Sequence, residues 1–331
     1  MGQISFRVRH AGFSLLELLI TVAVIAVLLA ILLPSIHAAR GVSRQVVCGT
    51  RLHSLGQAMQ AYVSTYGDWL PGSPNTSGNG AYPCGWRQKL FDGRYYVWDG
   101  DKDAFPAIQI FDWAAPLLSM MNSAIPPDIP DRYDLSKRWA FLCPANNWAV
   151  KINHASRINI ATLVPSYATS RFFTYVPVSR QTGISPGTLF WAHPFVPENY
   201  LPRMTSLENP AAKTFLADAC RVDRGNPHEI SNWDYGYTDY GAWLNEKDPE
   251  TDDPSLAYRF TAAKTQAYRH RNGINLLFFD GHVAYQPEGD SDANSGFGSG
   301  SRQAKFWFPS GTDTRKLPNA SGFSNEDIIV P

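Results

Sequence analysis

The sequence is short of charge. Only 18% of its 331 residues are Asp, Glu, Lys or Arg, and the two signs balance at 29 each. No basic stripe points to nucleic acid as a partner, and no acidic tail points to a solvating segment. Cysteine is scarce as well. Cys48, Cys84, Cys143 and Cys220 stand far apart, and no C-x-x-C pair occurs. That spacing argues against a zinc ribbon and against a thioredoxin-like redox motif. Four cysteines in an exported chain permit up to two disulfides in any of three pairings, and buried free thiols are an equal alternative. The sequence also lacks H-E-x-x-H and a Gly-rich phosphate loop, so we expect no catalytic residues and no enzyme activity.

What is plentiful is glycine (25), proline (24) and aromatic residues (13%). This is the composition of a loop-rich, aromatic-rich extracytoplasmic domain. The chain is long enough for one large or two small domains once an anchor is subtracted.

The anchor comes first. Residues 1–12 carry Arg7 and Arg9 and no acid, and the run FSLLELLITVAVIAVLLAILLP follows. From Leu18 to Leu33 no residue is charged. About 20 apolar residues span a bilayer as a helix. The arginines before the run hold the leader in the cytoplasm, so the bulk of the chain lies on the far side. An ordinary signal peptide would place its small-residue cleavage site after the apolar run. Here the small pair, Ala11-Gly12, precedes it. An uncleaved signal anchor explains the arginines but not Glu17, a carboxylate inside the apolar segment. Such a group is costly in a membrane and usually marks function.

The string Gly12-Phe13-Ser14-Leu15-Leu16-Glu17 resembles the type IV prepilin signal. Pro34, residue 22 counting Phe13 as the first, also matches a proline common in pilin helices. The resemblance implies a pseudopilin-like subunit. A prepilin peptidase cuts between Gly12 and Phe13 and N-methylates Phe13. Gly12 is needed because a bulky side chain would obstruct that peptidase. Glu17 pairs with the α-amino group of a neighbouring subunit during assembly. The physics agrees, because an α-amine is cationic near neutral pH and two opposite charges in low dielectric favour pairing.

After Pro34 the pattern turns amphipathic. Val42, Val46, Cys48, Leu52, Leu55, Met59, Tyr62 and Tyr66 recur mostly three or four apart, an apolar stripe on a helix best explained by core packing. Pro34 and Gly41 are candidate kink points. The helix is expected to end near Tyr66-Gly67. Val47-Cys48-Gly49, Leu55-Gly56-Gln57-Ala58-Met59 and Thr65-Tyr66-Gly67-Asp68 resemble the helix end of prepilin-type proteins with an H-X9-DG domain. Gly49-Thr50 departs from the Asn-rich turn more usual there.

The expected fold is α+β and pilin-like: a long N-terminal helix on a mainly antiparallel β-sheet head with long loops. Its parts are a leader (1–12), a transmembrane helix (13–34), an amphipathic continuation (35–66) and a head (67–331). In the head, short strands are expected around 95–98, 105–113, 139–143, 158–164, 172–178 and 306–308, with a helix over 113–122. Phe141-Leu142-Cys143-Pro144 and Ser166-Tyr167-Ala168 resemble the same subfamily. Ile274–Phe279 reads as a strand, Asp280-Gly281 as a two-residue hairpin turn and His282–Tyr285 as the return. His270, separated from Asp280 by nine residues, completes His-x9-Asp-Gly and the hairpin 270–285. His270, Asp280 and His282 are of the right types for acid–base work or zinc. Yet about 20 Å of strand separates His270 from Asp280. A turn plus a histidine satisfying local backbone is the favoured reading.

Two loops, Asp99/Asp101/Asp103 and Asp290/Asp292/Asn294, have D-x-D-x-[DN] spacing. Alternate oxygens suit calcium, and some pseudopilins hold the head with a calcium loop. Both loops lack the glycine and glutamate of an EF-hand, so solvated turns are favoured and no other cofactor is expected. Asp248 to Asp253 form a third acidic stretch with the same reading. Trp233, Tyr235, Tyr237, Tyr240 and Trp243 crowd together. They pack their own loop or, as the alternative function, make the head a membrane-displayed binder of polysaccharide or a protein partner. The leading expectation remains a subunit of a type II secretion or type IV pilus-like assembly. It would sit in the inner membrane by a single pass, with a periplasmic head. Its partners would be a prepilin peptidase, other pilin-like subunits and lipid, and no nucleic acid.

Overall fold

The structure, a computed structural model, describes residues 14–72, 88–89, 95–96, 113–122, 140–146, 149–154, 158–163, 166–174, 177, 196–219, 229–230, 237–238, 268–287, 304–313 and 329–330. Its α-helices are α1 (Leu15–Thr65), α2 (Ala114–Met120) and α3 (Ala304–Trp307). The strands in chain order are β1 (Gln88–Lys89), β2 (Tyr95–Tyr96), β3 (Ala149–His154), β4 (Ile158–Leu163) and β5 (Tyr167–Ser170). They continue with β6 (Thr214–Asp218), β7 (Glu229–Ile230), β8 (Tyr237–Thr238), β9 (Gly273–Phe278) and β10 (Val283–Pro287). The chain divides into two compact units, Met1–Ser43 and Arg44–Pro331. The arrangement is α+β and pilin-like: a long apolar N-terminal helix and an antiparallel sheet.

Helix α1 starts where its sequence provides a capping box. The Ser14 backbone N–H donates to Glu17 Oε2 at 2.9 Å, and the Glu17 N–H donates to Ser14 Oγ at 3.1 Å. Each side chain thus satisfies a backbone donor that the first turn leaves orphaned. In the first unit, every Leu, Ile and Val from Leu15 to Leu33 is at least 49% exposed. The helix runs on through Pro34.

In the second unit the same helix becomes a core element. Cys48, Leu52, Leu55, Met59 and Tyr62 of the apolar stripe are buried, joined by Gly56, Ala58 and Val63. Complete burial of each large apolar side chain contributes roughly 1.5–3 kcal/mol. The stripe is shorter than its spacing suggests: Val42, Val46 and Tyr66 are exposed. The helix stops through its C-terminal cap. Gly67 has φ +63°, and the Asp68 N–H donates to Val63 O at 2.9 Å, the six-to-one bond of a Schellman cap. Asp68 then ties this end to the segment 201–206, accepting the Thr205 N–H at 2.9 Å.

The main sheet has the order β10-β9-β6-β5-β8. Its first four strands are antiparallel neighbours, and β8 joins the edge in parallel. Every residue of β6 and β9 is buried, whereas β10 is only partly so. Helix α1 explains part of this burial. Gly56 lies so close to the β9–β10 hairpin that a Cβ there would come within 2.8 Å of Leu277 and 3.5 Å of the Gly281 backbone. Gln60 Nε2 donates to Phe279 O at 2.6 Å, and Asn275 Nδ2 donates to Gln45 O at 3.4 Å. Phe215 and Phe279 extend the core to the rings of Trp113 and Phe173. A second sheet, β4-β3-β7, and the pair β1-β2 complete the described strands.

Several local expectations need correction. The aromatic run after β5 is a 3-10 turn over Arg171–Thr174, and the one around Trp307 is the end of α3. Both aromatic groups pack inward, with Phe172 stacked on Phe308 at 4.5 Å. Aromatic content signals burial more securely than it signals strand geometry. Residues 140–143 are likewise a turn and coil rather than a strand. Strands β3 and β6 appear where none was expected.

Candidate functional site

The Asp280-Gly281 turn is a three-residue connection rather than a two-residue one. The Phe278 N–H donates to His282 O at 3.0 Å, closing the hairpin around Phe279, Asp280 and Gly281. The Gly281 N–H donates to Phe278 O at 2.9 Å, and Gly281 has φ +95°. Asp280 keeps a negative φ, as a type I turn followed by a left-handed glycine requires. Asp280 and His282 work on the turn itself. Asp280 Oδ1 accepts the His282 N–H at 3.1 Å and sits 2.6 Å from its Nδ1, while the imidazole stacks on Phe278 at 4.2 Å. Both side chains are solvent-exposed.

His270 belongs elsewhere. Its backbone closes a tight turn with Gly273, but its imidazole points into the core and is only 2% exposed as a residue. There it meets three other polar side chains. Cys143 Sγ lies 3.2 Å from His270 Nε2. Asp218 Oδ2 lies 3.5 Å from the same nitrogen. Cys48 donates to Asp218 Oδ1 at 3.0 Å. One donor atom from each of Cys48, Cys143, Asp218 and His270 falls within 4.8 Å of all the others, and all four residues are buried.

Each member is positioned by a different element. Cys48 takes one place in the buried stripe of α1. Asp218 ends β6, and its Oδ2 accepts the Asn275 N–H of β9 at 2.8 Å. Cys143 is held by its own backbone: its N–H donates to Ser166 Oγ at 2.8 Å, and the Ala145 N–H donates to its sulfur at 3.4 Å. Arg269, next to His270, donates to the carbonyls of Ser166 and Ala219. The Tyr167 hydroxyl lies 3.3 Å from Cys48 Sγ.

The electrostatics follow from crowding four titratable groups in the buried core. Burial pushes the Cys48 thiol well up, and its hydrogen bond to Cys143 adds to the rise. That same bond lowers Cys143, helped by His270 and Arg269 and opposed by burial. Burial raises Asp218, as does the Cys143 charge, while His270, Arg269 and the Asn275 N–H pull it back. Burial works to lower His270, but the bond to Cys143 and the charge of Asp218 outweigh it and raise the group. The set combines soft and borderline donors with a carboxylate, the ligand chemistry of zinc rather than of calcium.

Sequence spacing does not reveal this quartet. His270 stood out through its motif and the two cysteines as disulfide candidates, but Asp218 was passed over. Its available signal is a carboxylate ending an otherwise apolar strand, Thr214–Asp218. Other candidate residues lie outside the described residues: Gly12, Phe13, Cys84, Cys220, Asp99, Asp101, Asp103, Asp290, Asp292, Asn294 and the side chains of the 233–243 cluster. So does Gly183-Ile184-Ser185-Pro186-Gly187, a G-x-S-x-G string.

At the N-terminus, Glu17 is exposed and joined to Ser14 by the capping box. Helix α1 is long and apolar enough to cross a membrane. No curated protein and no solved structure matches the chain. Residues 7–33 match the family model of the prokaryotic N-terminal methylation motif, which supports a type IV pilin-like substrate of a prepilin peptidase.

Proposed function

We propose that the protein is a pilin-like structural subunit, a pseudopilin of a type II secretion or type IV pilus-like assembly. The observation that carries this is the methylation motif over residues 7–33 laid on the start of α1. In this reading the peptidase cuts between Gly12 and Phe13 and methylates Phe13. The apolar run then stays on the mature chain as its anchor. Glu17 pairs with the α-amine of a neighbouring subunit, and the head lies outside the inner membrane. The exposed apolar side chains from Leu15 to Leu33 support the anchor, because so long an apolar surface needs lipid or neighbouring helices to cover it.

The test is mass spectrometry of the mature N-terminus from membrane-extracted protein. A chain beginning at N-methylated Phe13 is expected. A mature chain beginning at Met1, or after Leu33, overturns the proposal.

A further inference from the structure

We propose that Cys48, Cys143, Asp218 and His270 bind one zinc ion in a closed structural site that fastens α1 to the sheet. The proposal stands apart from secretion or pilus assembly. It rests on the second unit alone and holds whatever machine the protein serves.

The first argument is geometric. Zinc lies about 2.0–2.3 Å from its N, O and S ligands, so a tetrahedral set has donor–donor edges of roughly 3.3–3.6 Å for mixed pairs. The Cys48–Asp218, Cys143–His270 and His270–Asp218 separations are 3.0, 3.2 and 3.5 Å. Each of these three edges lies within about half an ångström of its tetrahedral value, the two Asp218 contacts being made by its two different oxygens, and one donor atom from each residue falls within 4.8 Å of the other three. Four ligands from four parts of the chain also leave no open position for substrate, which is the pattern of structural rather than catalytic zinc.

The second argument is the cost of the alternatives. Asp218 is fully buried, and a buried carboxylate is expensive unless paired or metal-bound. A Cys48–Cys143 disulfide would remove the sulfur–hydrogen donor that Asp218 now receives from Cys48. It would leave the carboxylate and the imidazole converging on a bond that needs neither. A zinc ion instead satisfies all four groups. Two thiolates, a carboxylate and a neutral imidazole carry three negative charges. Zinc offsets two, and the adjacent Arg269, whose charge acts on Cys143, Asp218 and His270, offsets the third. The surroundings also suit thiolate ligands. The Ala145 N–H already points at Cys143 Sγ, and the Tyr167 hydroxyl can donate to the Cys48 sulfur once its proton has left. Such outer-shell donors orient metal ligands. On binding, zinc displaces two protons to solvent, the thiol proton of Cys48 and the one that Cys143 and His270 hold between them.

The test uses the full-length chain, purified in mild detergent without added chelator or reductant and passed over a metal-scavenging resin. We expect equimolar zinc by elemental mass spectrometry. We expect cobalt(II), exchanged in, to show a thiolate charge-transfer band and the intense visible bands of a tetrahedral complex. Asp218→Asn and Cys143→Ser should lose the retained metal, and His282→Ala, at the exposed turn histidine, should keep it. Metal-free protein whose two thiols are both alkylated overturns the proposal. So does a Cys48–Cys143 disulfide found by peptide mapping, or zinc retained equally by wild type and Cys143→Ser, an adventitious ion only. The metal content and thiol state of the unmutated chain decide the question even if a variant fails to fold.

Discussion

Helix α1 is one stretch of backbone with two kinds of surface. From Leu18 to Leu33 its side chains are uncharged and, Thr21 apart, apolar all round, and all the large ones are exposed. From Cys48 to Val63 they are apolar on one stripe, and that stripe is buried. The difference teaches what stabilises each part. A uniformly apolar helix needs a solvent that is itself apolar, whereas a striped helix needs a partner surface. The sheet supplies that surface to the second part with hydrogen bonds and close packing. Backbone geometry is common to both, so the contrast lies in side-chain chemistry.

One substitution made in both parts should break the comparison most visibly. Leu55 is completely buried. Leu55→Asp places an unpaired carboxylate in the core and should cost the second unit more than about 4 kcal/mol, enough to abolish its cooperative urea transition in the detergent-solubilised chain. Ile25→Asp should leave that transition in place. Its effect should fall on membrane retention, at about 2.5–3.5 kcal/mol, read by alkaline extraction. An equal loss of the urea transition in both variants would show that the two parts do not behave separately.

A smaller effect sharpens the account of the striped part. Gly56→Ala pushes a methyl group against Leu277 and should cost about 1–3 kcal/mol, measured as a lowered Tm. Leu277→Val in the same chain should recover part of that loss, because the two sites share one contact. Additive losses would mean that the clash is not the cause.

The smallest effect concerns the first turn. Glu17→Gln keeps a side chain able to complete the capping box but removes its charge, whereas Glu17→Ala removes both. Both variants should still be processed and methylated. Both should fail to assemble if the charge pairs with a neighbouring subunit. Only Glu17→Ala should also speed amide hydrogen exchange at residues 15–18. Assembly by Glu17→Gln at the wild-type level would make Glu17 a cap and nothing more.

The legible parts of this protein are local. The apolar run, the Gly67 stop and the glycine of the Asp280-Gly281 turn each follow from interactions within a few residues, whereas Glu17 reads in the sequence as an assembly residue and its capping bonds with Ser14 emerge only in the structure. The three-residue loop was harder to read, since its length depends on which residues of β9 and β10 pair. The aromatic runs at 171–174 and 304–308 misled because aromatic side chains favour burial in any backbone conformation. His270 was visible as half of a motif, but the motif links it to Asp280, a residue whose side chain it does not touch.

By itself, then, the sequence determined where the long apolar run lies, where its helix stops, and where the β9–β10 hairpin turns. Periodicity, capping and turn preference act over one or two turns of chain. Only the tertiary structure decided that Cys48, Cys143, Asp218 and His270 share one water-poor pocket. They come from a helix, a loop, a strand end and a turn, and no spacing rule spans such distances. The packing of α1 across β5, β6 and β9 brings their donor atoms within 4.8 Å. At that range, the cost of burying a carboxylate among thiols and an imidazole sets the chemistry of the pocket.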